Sequence, residues 1–230
     1  MKIEEGFSIS FVEYIYYKCH NFEFIIFVLK MEANIMHQEL VSLFSSSKII
    51  PILYDLKYAD YILKSDFKIV IMGRLLNIMN LERIVSYFKS NSKVVIADLD
   101  LIKGLSTDEY AIKYLSKKVG VDGLITTRAS MISEIKKEKM ISILKVFCYD
   151  EFSLESALKN INYSSPDILE VLPAVAAPFF VKKIKSNSQA LINVAGFLDD
   201  NPQEILKLFK LGISAVHTGN QKLWQMFDRI

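Results

Sequence analysis

A rhythm that begins at Ile49 constrains this chain more than any other feature. Short runs rich in Val and Ile recur at Ile49–Leu53, Lys68–Met72, Lys93–Ala97 and Gly123–Thr127. They continue at Ile141–Phe147, Ile168–Leu172, Ala190–Ala195 and Ile213–Thr218. Each is apolar at successive positions rather than alternate ones, as expected for strands of a parallel sheet covered on both faces. Between the runs lie helical patterns. Leu81, Ile84, Val85 and Phe88 share one helix face, and Leu154, Ala157, Leu158 and Ile161 repeat that spacing. Ser106 with Glu109 reads as a capping box, and Asn201-Pro202 with Glu204 as a helix start. Gly120 and Gly212 are placed to stop helices just before strands.

Eight strands alternating with helices predict a compact (β/α)8 TIM barrel. An open doubly wound sheet fits less well. It usually carries a Gly-rich first turn, whereas the first run here is followed by Tyr54-Asp55-Leu56-Lys57. The single barrel domain is expected over residues 36–230. Residues 1–35 differ in character, crowded with Tyr14, Tyr16, Tyr17, Phe22, Phe24 and Phe27. They read either as an extra N-terminal element or as sequence upstream of a true start at Met31 or Met36, and no function is placed there.

Composition narrows the function. Hydrophobic residues make up 51% and charged residues 23%, which excludes a disordered chain. With 28 Lys plus Arg against 26 acids, the formal charge is only +2. Binding nucleic acid through bulk positive charge is therefore not indicated, and any such partner needs a local site. The runs Lys136, Lys137, Lys139 and Lys182, Lys183, Lys185 read as solvated helix surfaces. Cys19 and Cys148 support neither a disulfide framework nor a metal site, and suit a reducing interior. The longest apolar run, Phe24–Leu29, is too short to span a membrane, so the expected location is cytoplasmic.

In such a barrel, ligands gather at the carboxyl ends of the strands. Those ends supply Asp98 and Asp100, then Thr126, Thr127 and Arg128, then Lys145 at the same parity as Ile143 and Phe147, and Glu170. Charges inside apolar strands are costly unless paired, so Asp98, Asp100, Arg128, Lys145 and Glu170 are expected in one polar cluster. Gly196 and Gly219, in adjacent loops with Thr218 and Asn220, suggest an anion cradle of backbone N–H groups. His217 reads first as a hydrogen-bonded rim residue, with an acid–base role as the alternative. Trp224 reads as a core or closing residue. No catalytic residue, metal or cofactor is assigned.

The same residues resemble a known family. Asp100-Leu-Ile-Lys-Gly-Leu-Ser-Thr-Asp-Glu-Tyr110, Asp122-Gly-Leu-Ile-Thr-Thr-Arg128 and Pro166-Asp-Ile-Leu-Glu-Val-Leu-Pro173 are similar to the glycerol-3-phosphate-responsive antiterminators, as are Ala195-Gly196 and Asn220-Gln-Lys-Leu-Trp224. The likeness runs from about Ile49 to Trp224. It implies a barrel without catalytic turnover that binds glycerol 3-phosphate and then leader mRNA of the glycerol operon. Asp100, Arg128, Glu170, Gly196 and Asn220 match the family's pattern. Asp98 stands where members usually have His, Lys145 replaces Arg, Leu144 Gln, Ala174 Gly, Ala195 the first of two glycines, and Gly219 Ser.

The leading expectation is therefore a sensor. Glycerol 3-phosphate or a similar small phosphate sits at Asp98, Asp100, Arg128, Lys145, Glu170, Gly196, Thr218, Gly219 and Asn220. Leader mRNA is the macromolecular partner, and a homo-oligomer is compatible with this reading. One rival is an enzyme on small phosphorylated metabolites, with Lys145 forming a Schiff base and Asp98 or Glu170 carrying protons. The other is a ligand-free partner protein.

Overall fold

The computed structural model describes residues 22–198 and 200–228. The chain divides after Leu40, and the barrel lies in the unit of residues 41–230. Helix α1 (Phe22–Ser46) runs through this division, and the domain boundary expected between residues 35 and 36 falls inside it. Cys19 and Tyr14, Tyr16 and Tyr17 lie outside the described residues.

Eight parallel strands close into a barrel in chain order. They are β1 (Ile49–Leu53), β2 (Ile69–Met72), β3 (Val94–Asp98), β4 (Gly123–Thr126), β5 (Ile141–Phe147), β6 (Ile168–Leu172), β7 (Leu191–Ala195) and β8 (Ala215–Thr218). β8 pairs with β1 through Ile50 and His217, which completes the ring. The connecting helices are α2 (Ala59–Lys64), α3 (Leu81–Ser90), α4 (Glu109–Tyr114), α5 (Ala129–Lys137), α6 (Glu151–Ser164), α7 (Ala177–Lys185) and α8 (Pro202–Lys210), and α9 (Gln221–Phe227) follows β8. The strands fall on the predicted runs within one or two residues.

Strand residues alternate between two surroundings, as the two-residue period of a strand requires. Leu53, Val70, Met72, Val95, Leu124, Leu144, Val171 and Val216 join helix residues in one apolar shell. The predicted face of α3, Leu81, Ile84, Val85 and Phe88, lies wholly in that shell. Removing such a side chain from water stabilises the fold by about 1.5–3 kcal/mol. The intervening positions, among them Ile52, Ile71 and Ile125, face the open end of the barrel instead.

Helix ends follow local chemistry, with one correction. Asn201 caps α8, its side chain accepting from the Gln203 N–H at 2.9 Å. Ser106 does not cap α4. Asp108 does, accepting from the Ala111 N–H at 2.9 Å, while Ser106 donates to the Asp108 carboxylate. The carboxylate is the stronger acceptor for the first helical N–H groups, and it lies two residues closer to the helix. A reciprocal capping box is found instead at Asp150 and Ser153, at the start of α6. Gly120 takes a left-handed φ of 77° and closes the turn after α4. Trp224 on α9 is buried, and its indole N–H donates to the Thr218 carbonyl at 2.7 Å. With Tyr61 stacked on it and Tyr58 at its edge, it fastens the end of β8 to the start of the chain's barrel.

Candidate functional site

The carboxyl ends of the strands surround a cavity of about 810 Å³. Asp98, Asp100, Lys145, Glu170, Gly196, His217, Thr218 and Gly219 all line it. The predicted polar cluster therefore exists, although its membership differs from the expectation.

Its centre is a buried row set by strand register. Lys145 on β5 is the Cα partner of Glu170 on β6, and Glu170 is the partner of Asn193 on β7. The Lys145 ammonium contacts the Asp98 carboxylate directly and lies 3.4 Å from Glu170. Burial works against its charge, but Glu170 and Asp98 outweigh that and hold the ammonium above the ordinary lysine value. Burial likewise disfavours an ionised Glu170, yet its hydrogen bond with His217 and the Lys145 charge prevail and lower its carboxyl. Asp98 is the opposite case. Burial pushes its carboxyl up to about 6 despite the pull of Lys145, with Glu170 and Asp100 adding to the rise.

His217 is fully buried and sits between Glu170 and Asn193. The Asn193 side-chain carbonyl accepts the Ala215 N–H at 3.1 Å, which turns its NH2 group toward the imidazole. The NH2 therefore donates to Nε2 at 2.9 Å, and Nδ1 carries the proton that reaches Glu170 at 2.8 Å. This fixed orientation favours the structural reading of His217 over an acid–base one. Asn193 was not anticipated, although an amide in the middle of the run Leu191-Ile-Asn-Val-Ala195 is a polar residue that demands partners.

The other predicted residues separate. Strand β3 stops at Asp98, so strand alternation no longer governs Asp100, which sits in the 3₁₀ turn Leu99–Leu101. Its carboxylate reaches β4 and accepts from the Thr126 hydroxyl at 2.9 Å and the Thr127 N–H and hydroxyl at 2.6 and 2.8 Å. Arg128 does not join the cluster. It precedes α5, is exposed, and donates to the Thr107 carbonyl at 3.2 Å. Asn220 caps α9, accepting from the Lys222 N–H and donating to Asp200. Lys136 and Lys137 pair with Asp167 and Glu134. Cys148 is buried, and burial raises its thiol to about 11, an unreactive value.

The β7–β8 side has a different chemistry. Gly196 and Phe197 both take left-handed φ angles, 77° and 52°. For Phe197 that conformation is unfavourable, and its ring is left 87% exposed at the rim. The N–H groups of Gly196, Phe197 and Gly219 make no hydrogen bond among the described residues. Gly219 leaves room for a neighbour that the sequence does not reveal. A Cβ there would lie 2.6 Å from the ring of Tyr54, and one at Gly73 would lie 2.5 Å from the same ring. Tyr54 thus occupies a slot between the two glycines at the rim.

One carboxylate oxygen remains open. Oδ1 of Asp98 is buried without a hydrogen-bond partner. Among the described residues, no group of three or more His, Cys, Asp or Glu is placed to hold a metal ion, and no helix is long and apolar enough to cross a membrane. The mouth is suited to a small ligand that brings its own hydroxyls and an anionic group.

Residues 49–224 match the family described as glycerol-3-phosphate responsive antiterminator. This chain belongs to that family. A glycerol uptake operon antiterminator regulatory protein from Listeria monocytogenes str. 4b F2365 is 29% identical, with a TM-score of 0.73 over 77% of this chain and 95% of that one. A glycerol uptake operon antiterminator-related protein from Thermotoga maritima MSB8 is also 29% identical, with a TM-score of 0.70 over 78% of this chain and 99% of that one. An uncharacterized protein of Escherichia coli K12, YgcP, is 28% identical over 154 residues, 67% of this chain and 80% of that protein. Antiterminator membership makes a regulatory role the frame for the mouth, on a barrel fold that enzymes also use.

Proposed function

We propose that the barrel mouth senses glycerol 3-phosphate or a similar small phosphate, and that the ligand-bound protein recognises leader mRNA of glycerol-utilisation genes in the cytoplasm. The observation that carries this reading is the pairing, in one cavity, of open backbone N–H groups at Gly196, Phe197 and Gly219 with the open acceptor Oδ1 of Asp98. Backbone donors suit a phosphate, and a carboxylate oxygen suits a hydroxyl. Glu170 and Asp100 shape the lining and Asn220 its surround, since their side-chain polar atoms already have partners, while Thr218 Oγ1 accepts from the Asn220 N–H and keeps its own proton to donate. Family membership supports both halves of the proposal.

Lys145 argues against the Schiff-base enzyme. A nucleophilic lysine needs a neutral amine, and two carboxylates keep this one charged. Borohydride with a triose phosphate is expected to leave no adduct. Regulation requires that the ligand bind one state of the protein more tightly than another. The rim aromatics Tyr54, Phe147 and Phe197 are exposed side chains whose packing a bound ligand can change. Calorimetry is expected to show binding of glycerol 3-phosphate and not of glycerol, and gel shifts to show leader RNA retained only with ligand. Equal or absent binding of the two small molecules removes the sensor, and a thermal-shift screen of small phosphates without stabilisation then favours a ligand-free partner protein.

A further inference from the structure

Arg74 follows Gly73 at the end of β2 and lines the cavity. Its side chain is exposed, and its guanidinium has neither a hydrogen bond nor an ion pair among the described residues. Lys145 is the other Lys or Arg of the cavity lining, while Arg128 and Lys222 lie outside that lining, and all three have partners. Lys145 is held by Asp98 and Glu170, Arg128 by the Thr107 carbonyl, and Lys222 by Asp200. Arg74 therefore supplies the positive charge in the cavity lining that no protein carboxylate neutralises.

Its place on the rim matters as much as its charge. β8, β1 and β2 are neighbours, so Gly219, Tyr54, Gly73 and Arg74 follow one another around the mouth. Gly196 and its open N–H extend the same arc on β7. The opposite arc, β3 to β6, carries Asp98, Asp100 and Glu170 against the single ammonium of Lys145. A phosphate dianion placed on that arc would face carboxylates; the β7–β8–β1–β2 arc of the lining carries no carboxylate and offers open N–H groups and a guanidinium. The planar fork of an arginine also matches phosphate oxygens two at a time.

We infer that Arg74 grips the anionic end of the ligand, fixing its orientation with the phosphate over the β7–β8–β1–β2 arc and a hydroxyl on Oδ1 of Asp98. This rests on the small-phosphate reading of the mouth. It takes the ligand class from that reading and adds the orientation, with phosphate preferred over carboxylate because the open N–H groups of Gly196, Phe197 and Gly219 share the arc with the guanidinium.

The test is calorimetry on the full chain, with wild type, Arg74→Met and Arg74→Lys each titrated with sn-glycerol 3-phosphate, glycerate and glycerol. Wild type is expected to prefer the phosphate. Arg74→Met is expected to lose about 10- to 100-fold in affinity for it, with Arg74→Lys between the two. The weakening of binding by added salt is expected to be steep in wild type and shallow in Arg74→Met. Melting temperatures report folding, and Arg74→Lys repeats the comparison with the charge retained. Unchanged phosphate affinity in Arg74→Met overturns the assignment and leaves the sensor standing. A wild type that prefers glycerate overturns the ligand class, and one that binds none of the three overturns both the assignment and the sensor.

Discussion

The two arcs of the barrel mouth are built on opposite principles. From β3 to β6 the lining is ionic: Asp98, Lys145 and Glu170 contact one another, and the buried chain continues through His217 on β8 to Asn193 on β7. Apart from the His217 imidazole, the arc from β7 through β8 and β1 to β2 presents glycines, aromatic rings and a free guanidinium, with backbone donors left open. Charges taken out of water must be paired, whereas a site for a soluble anion must keep its donors unspent. The contrast teaches that the conspicuous ionic cluster is chiefly architecture with one open acceptor, and that the plainer arc holds the open donors on which the proposed anion binding rests.

Replacements can break or sharpen this contrast. The largest effect is expected for Glu170→Ala, which leaves the Lys145 ammonium and the His217 Nδ1–H short of their partner; a stability loss of about 3–5 kcal/mol is expected in urea unfolding. Asn193→Ala should cost about 1–3 kcal/mol by orphaning the Ala215 N–H and releasing His217. Nitrogen NMR of His217 should then show the Nδ1–H tautomer giving way to a mixture, and an unchanged spectrum would mean that Asn193 does not orient the ring.

Asp98 sharpens the contrast through pH. Its folded carboxyl is raised to about 6 from an ordinary value of 3.8, so between those values the folded state holds the extra proton. Its contribution to stability is therefore most favourable below pH 4 and is lost as pH rises through about 6. Asp98→Asn removes that loss, so its melting temperature should gain on wild type as pH is raised from 4.5 to 7. A constant difference over that range would show that Asp98 titrates normally. The smallest stability effect is expected from Gly219→Ala on the other arc. The added methyl displaces the half-exposed Tyr54 ring at a cost below about 1 kcal/mol, while phosphate binding changes measurably. If Gly219→Ala unfolded the protein and Glu170→Ala did not, the division of labour between the arcs would be reversed.

Much of this was readable from residue types alone. Asp98, Lys145 and Glu170 are charged residues in or at the ends of apolar strands, and the cost of burying them unpaired already brought them together. Arg128 passed the same criterion but leaves the cluster, because β4 ends at Thr126 and the chain turns into α5 with Arg128 at its cap. Arg74 lies two residues beyond the end of β2, and no spacing in the sequence distinguishes it from a solvated loop residue. Gly219 reads in the sequence as part of an anion cradle, and the structure adds that the ring of Tyr54 packs close against it.

The sequence by itself determined the barrel. Repeated Val- and Ile-rich runs separated by amphipathic helices have one economical way to bury both faces of every strand, and that is a local pattern repeated along the chain. Only the tertiary structure decided which polar atoms are spent and which are free. Register placed Lys145 opposite Glu170 and Glu170 opposite Asn193, and ring closure brought Tyr54 between Gly73 and Gly219. Those pairings join residues far apart in the chain, and a hydrogen bond depends on tenths of an ångström that no spacing of residue types encodes.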